Sequence, residues 1–183
     1  MNVRFRRFFK LLFVFIVIFA EPAHARAHAR GDSDLGRFRN TYYYVVLESA
    51  YAKFPKTVPI RGMKDQVLAT VSQEFRRAVD IEGTGRLQDG RLINFIGRKD
   101  GEIRYIFSRS PFGLGVGTCE LSPFRSIAVD PRVIPLGNLV KIKETVGMVL
   151  PNGEKHDGVW VAEDIGSAIR EDRIDLFLGD GDQ

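Results

Sequence analysis

The sequence predicts a small, mainly β protein, a barrel or sandwich of short strands with one helix attached. Three observations point there. Short runs rich in β-branched and aromatic residues recur from Thr41 to Gly179, each closed by Gly, Pro, Asn or Asp. Only one stretch, residues 63–79, carries helical spacing of its apolar residues. The chain of 183 residues is 44% hydrophobic and 27% charged, the composition of a packed domain rather than of a disordered one.

The first residues stand apart from that domain. Arg4, Arg6, Arg7 and Lys10 precede an unbroken apolar run of ten residues, Leu11 to Ala20. Small-x-small sites follow at Ala23-His24-Ala25 and Ala27-His28-Ala29. Basic, then apolar, then small is the layout of a secretory signal peptide, which is assigned here to residues 1–29. Ten apolar residues fall short of the roughly 20 needed to span a bilayer. The expected location is periplasmic or secreted, with no stable membrane insertion after cleavage.

Residues 30–118 form an N-terminal region. Thr41 to Leu47, TYYYVVL, reads as a strand. In residues 63–79, Val67, Leu68, Val71, Phe75 and Val79 fall close to one helical face, so a helix is predicted there. Residues 82–108 supply two or three strands broken by Asp89-Gly90 and Asp100-Gly101, both hairpin dipeptides. The Pro/Gly-rich stretch SPFGLGVGTCELSPF then leads into residues 119–183, where SIAVD, LVKIKE, VWVAED and RIDLFLG read as strands between turns. Strands between 41 and 107 are free to join this C-terminal unit.

Charge excludes one class of partner. The chain carries 27 basic and 23 acidic residues. Cleavage after Ala25 removes four basic residues and Glu21, leaving 23 and 22, a net charge of +1; cleavage after Ala29 also removes Arg26 and gives zero. The pI of 9.3 is thus largely a targeting feature and argues for no nucleic-acid partner. His24 and His28 leave with the signal, so one histidine, His156, and one cysteine, Cys119, remain. That set forms no internal disulfide and no ordinary zinc site, and no cofactor is expected. A Cys–His nucleophilic pair is the formal alternative to carboxylate chemistry.

Strand alternation picks out three carboxylates. In SIAVD, Asp130 shares a face with Ala128, opposite Ile127 and Val129. In VWVAED, Asp164 shares a face with Trp160 and Ala162, and in RIDLFLG, Asp175 points away from Ile174, Leu176 and Leu178. Asp130 and Asp164 each lead into a turn, and side-chain capping of that turn explains them as well as a site does. Asp175 lies inside a strand, where Asp is disfavoured.

The blocks RSIAVDPRVIPLG, VAEDIGSAI and RIDLFLG, in that order, resemble the three-aspartate (3D) domain of the membrane-bound lytic transglycosylase A family and of stationary-phase wall-cleaving proteins. Upstream, NTYY and EGTGRL are similar to two further segments of that family. The resemblance implies a six-stranded double-psi β-barrel with a small N-terminal helix/strand extension. It also implies a lytic transglycosylase that cuts the β-1,4 bond between N-acetylmuramic acid and N-acetylglucosamine of peptidoglycan without water. By resemblance, Asp175 is the acid/base, Asp164 raises its proton affinity, and Asp130 completes the network and fixes the turn from Pro131 to Gly137. One carboxyl protonates the leaving oxygen and then takes the proton of the sugar's 6-hydroxyl, closing a 1,6-anhydro ring. Gly166, Ser167, Ala168, Thr41, Tyr42 and Tyr43 are the corresponding substrate-binding candidates, with glycan strands as partner. The tyrosines have a second reading as a buried aromatic strand.

The chain departs from the family pattern at Ile165, where Thr is usual, at Ser167, where Gly is usual, and at Arg170-Glu171, where Lys-Gly is usual. These departures leave a non-catalytic glycan-binding module open as the main rival. An ordinary glycan hydrolase on the same fold and an aspartic peptidase suggested by Asp164-Ile165-Gly166 are the others.

Overall fold

The computed structural model describes residues 33–181. The signal-peptide assignment lies outside the described residues. Strand β1, Arg39–Leu47, opens the fold and is followed by β2, Lys56–Arg61, and β3, Val67–Ser72. Helix α1, Gln73–Glu82, leads to β4, Thr84–Arg86, β5, Leu92–Lys99, and β6, Glu102–Ser108. The C-terminal part supplies β7, Ser126–Ala128, β8, Leu139–Lys141, β9, Val159–Asp164, and β10, Arg173–Asp180. The protein is mainly β with little helix, as the pattern predicts. No helix among the described residues is long and apolar enough to cross a membrane.

The predicted helix over 63–79 starts ten residues late. Val67 to Ser72 instead pairs antiparallel with β2 through a turn in which Gly62 N donates to Gln66 O and Asp65 adopts φ 61°. Val67, Thr70 and Val71 are β-branched and suit a pleated surface better than a helix. Ser72 then starts the helix, its hydroxyl accepting the N–H of Phe75 at 3.2 Å, and left-handed Gly83 ends it. Phe75 and Val79 keep the buried face that the spacing assigned them.

Both hairpin dipeptides turn the chain as read. Asp100 and Gly101, with φ 52° and 80°, join β5 to β6 in the conformation that a two-residue turn between twisted strands requires. Asp89-Gly90 joins β4 to β5.

Among the described residues eight strands form one mixed sheet in the order β6-β5-β4-β1-β10-β7-β9-β8, and β2-β3 form a second. The pairs β1·β10, β1·β4 and β7·β9 are parallel. Among the described residues the closed six-stranded barrel is not what the pairing shows. β1 has β10 on one edge and β4 on the other, so the ladder continues outward to β5 and β6 rather than back to β8.

Three apolar clusters pack the described residues. Phe75, Val79, Ile60, Val71, Ile93 and Tyr105 join the helix to β2, β3, β5 and β6. On one face of the large sheet lie Tyr43, Val45, Leu121, Ala128, Ile169 and Phe177, and on the other Ile127, Val129, Trp160, Ala162, Ile174 and Leu176. Along β10, Ile174 and Leu176 face one cluster while Asp175 and Phe177 face the other side, as period-two side-chain placement demands.

Candidate functional site

Four adjacent strands bring one residue each into a row. Thr41 on β1 is in register with Asp175 on β10, Asp175 with Ala128 on β7, and Ala128 with Asp164 on β9. Register partners share a face of the sheet. The two aspartates therefore project on the same side as Tyr43 and Phe177, separated by the smallest side chain that a strand can offer short of glycine.

Alternation alone places Asp164 on the wrong face. Trp160 and Ala162 pack with Ile127 in the opposite cluster, and strict period two would put Asp164 there. A register shift between β7 and β9 intervenes: Ile127 pairs with Ala162, but the next residue, Ala128, pairs with Asp164. Glu163 is the extra residue, and skipping it turns Asp164 over to the side of Asp175. The Glu163 carbonyl accepts Val116 N at 2.9 Å, and its carboxylate accepts the Ser126 hydroxyl at 2.6 Å. A Cβ on Gly115 would stand 2.3 Å from the Glu163 carbonyl oxygen, so only glycine lets this loop lie against the bulge.

Burial is the main force on both carboxyls. Asp164 is pushed up to about 6, chiefly by burial and further by the charge of Asp175, against the N–H of Ile165 that donates to Oδ1 at 2.8 Å. Burial also raises Asp175, with the Thr41 hydroxyl and the charge of Arg173 opposing. Thr41 itself accepts Nη2 of Arg173 at 3.2 Å. Oδ1 of Asp175 is buried with no hydrogen-bond partner among the described residues, which makes its ionised form expensive. The resemblance expects Asp164 to act on Asp175; in the structure the charge of Asp175 adds to the rise that burial gives Asp164.

Asp130 is a different kind of group. It is 2% exposed and its carboxylate accepts three N–H groups of Arg132, at 3.1, 3.0 and 2.6 Å, and the backbone N–H of Glu171 at 3.0 Å. The Arg132 guanidinium holds it well below the usual carboxylate range. Its carbonyl accepts the N–H groups of Val133 and Ile134, both at 2.9 Å. Asp130 thus clamps the turn after β7 to the residues that enter β10.

The loop after Asp164 is folded on itself. Ile169, 3% exposed, plugs into the cluster beneath the aspartates, and its N–H reaches Gly166 O at 3.1 Å. A Cβ on Gly166 would meet Ile169 Cγ1 at 2.6 Å, so that position favours glycine. Ser167 and Ala168 are exposed beside it. Glu171, standing where the family pattern has glycine, keeps a glycine-like φ of 54°. Its N–H bond to Asp130 holds it there.

Of the upstream candidates, Thr41 joins the row and Tyr42 does not. Tyr42 alternates to the other face and is 57% exposed. Tyr43 is 8% exposed and packs on Phe177 at a ring distance of 5.0 Å, which favours the buried-strand reading for this residue. Its hydroxyl is buried beside Asp164, near enough to feel that charge and outside good hydrogen-bond geometry.

The sequence reading missed Glu82. This last residue of α1 is half-buried, its Oε2 accepts the backbone N–H of Tyr44 at 3.2 Å, and burial and the charge of Asp175 raise its pKa. The β1·β10 register shifts between Tyr43 and Val45, and Glu82 binds Tyr44 N at that irregularity. The Cys–His alternative fails on geometry. His156 is 1% exposed, its Nδ1 accepts Gly158 N at 2.7 Å and its Nε2 faces Phe124 O at 2.6 Å, while Cys119 is exposed.

The sequence model of the 3D domain matches residues 125–183. Over those residues the chain is similar to the 3D domain. The match takes in β7 to β10 and all three aspartates, about a third of the chain. No curated protein matches in sequence. Solved structures share the fold, among them the following two. Escherichia coli MltA with bound chitohexaose superposes at a TM-score of 0.57 and 17% identity, over 81% of this chain and 67% of that one. The membrane-bound lytic murein transglycosylase from Agrobacterium tumefaciens gives 0.54 and 15%, over 81% and 69%. The chain thus spans about two thirds of either protein's length. The likeness reaches well beyond the 3D domain into the N-terminal strands.

Proposed function

We propose that this protein is a peptidoglycan lytic transglycosylase of the bacterial envelope, exported by residues 1–29 and acting on glycan strands. The observation that carries the reading is the pair Asp175 and Asp164 on one sheet face, both with raised proton affinity. The likeness to two murein-cleaving enzymes supports it.

Asp175 serves as acid and then base. The burial that makes its charge costly favours a protonated start, and the proton passes to the glycosidic oxygen as the bond to N-acetylmuramic acid breaks. The carboxylate so formed takes the proton of the 6-hydroxyl, whose oxygen closes the 1,6-anhydro ring. No water is consumed, so one carboxyl suffices where a hydrolase needs two. Asp164 shares the proton and opposes the positive charge that develops on the sugar ring. Thr41 and the loop of Gly166, Ser167 and Ala168 border the row and contact the glycan.

Digestion of purified sacculi followed by mass spectrometry tests this. Anhydro-muropeptides are expected from wild type and not from Asp175→Asn. Products with reducing ends, 18 Da heavier by one water, identify a hydrolase instead. Sacculi that bind the protein but release nothing identify a glycan-binding module.

A further inference from the structure

Away from the aspartates, β2, β6 and α1 surround an open concavity of about 510 Å³. Its lining includes Arg61, Arg76, Arg98 and Arg104 against two acids, Asp80 and Glu102, a surplus of two positive charges. Four arginines thus line one concavity, two of them beside acidic partners.

Each is held by a backbone carbonyl. Arg61 Nη1 donates to Asp65 O at 2.8 Å, Arg76 Nη1 to Pro59 O at 3.1 Å, Arg98 Nη1 to Gly101 O at 3.0 Å and Arg104 Nη1 to Ile103 O at 3.3 Å. A carbonyl fixes the orientation of the planar group without cancelling its charge, and occupies one of its five donors. Arg76 is further paired with Asp80, and Arg104 with Glu102 and Asp65. Arg61 and Arg98 make no ion pair among the described residues. Arg104 is 5% exposed, and its Nε is a buried donor with no hydrogen-bond partner among the described residues.

If these arginines only fastened the β2-β3 hairpin to the helix, their charges would be expected to be matched, as those of Arg76 and Arg104 are. Arg61 and Arg98 are oriented and unmatched. We propose that this concavity is an oxyanion-binding site, taking a carboxylate or phosphate group between Arg61 and Arg98. Arg is suited to both anions because its two parallel N–H groups match their paired oxygens. If the protein acts on peptidoglycan, the carboxylates of the wall peptide are the source nearest to hand; that assignment rests on the proposed function, while the site itself does not.

The test is calorimetric titration of the full chain with two probes, inorganic phosphate and a free wall tetrapeptide. Binding of either is expected, weakened at least about tenfold in Arg61→Gln/Arg98→Gln. Tighter binding of the tetrapeptide identifies the carboxylate source, and tighter binding of phosphate a phosphorylated one. Arg98→Gln alone, at an exposed side chain, gives the same direction should the double variant fold poorly. Failure of both probes to bind wild type overturns the proposal, as does unchanged affinity in the variants. Neither result depends on turnover, so the site can fail while sacculus cleavage stands, and the reverse.

Discussion

Asp175 and Asp164 flank a single methyl group, that of Ala128, with which each is in register on neighbouring strands. The burial that raises both pKa values follows from the same packing, since Tyr43, Phe177 and Ile169 close the floor beneath them.

Asp175→Asn keeps the shape and loses the proton. Release of anhydro-muropeptides from sacculi is expected to fall at least about 100-fold, the usual worth of a general acid/base. Pelleting with sacculi is expected to be unchanged, and pelleting assays beside product analysis check both.

The two raised carboxyls set a pH dependence. Asp164, pushed up to about 6, keeps its proton through mildly acidic conditions, and burial raises Asp175 in the same direction. Initial rates on sacculi are expected to fall as rising pH strips the proton from Asp175. In Asp164→Asn the like charge is gone, so the fall begins at lower pH, which a rate–pH profile reads directly.

Stability follows the same titration with a definite sign. The native state keeps a proton on Asp164 that the unfolded chain, with an ordinary Asp value of 3.8, has released. Stability therefore falls as pH rises from about 4 to about 6, and stays lowered above that. Asp164→Asn removes this penalty and is expected to stabilise the protein by about 1–3 kcal/mol at pH 7. Urea melts at pH 4.5 and pH 7 check it, the gain being smaller at the lower pH.

Glu82 supplies a third carboxyl in the field of Asp175. Glu82→Gln keeps an oxygen for Tyr44 N and removes the charge. The high-pH limb of the rate profile is expected to move down by a few tenths of a pH unit to about one, with little change in melting temperature.

Glu171 pays for its left-handed backbone with strain of about 1 kcal/mol. Glu171→Gly is expected to raise the melting temperature by about 2–4 °C at most, less whatever glycine adds to the freedom of the unfolded chain. Glu171→Val, branched at Cβ, is expected to lower it, and differential scanning calorimetry separates the two.

Much of this was legible in the chain itself. The runs Thr41–Leu47, Val159–Asp164 and Arg173–Asp180 announce strands by composition, and Asp89-Gly90 and Asp100-Gly101 announce turns, because these preferences are local and steric. The three blocks around Asp130, Asp164 and Asp175 carried the resemblance to the 3D domain. Only the tertiary structure decided the rest. Residues 67–72 became a strand because β2 offered a partner across a turn that no spacing rule sees. The face of Asp164 hung on one extra residue at Glu163, and a period-two reading has no means to detect a bulge imposed by a neighbouring strand. Asp130 proved a clamp and Glu82 a neighbour of Asp175, since contacts across 41 residues or between helix and sheet depend on packing and not on order along the chain. The sequence alone determined which side chains have the chemistry; the meeting of β1, β10, β7 and β9 determined which of them share a site.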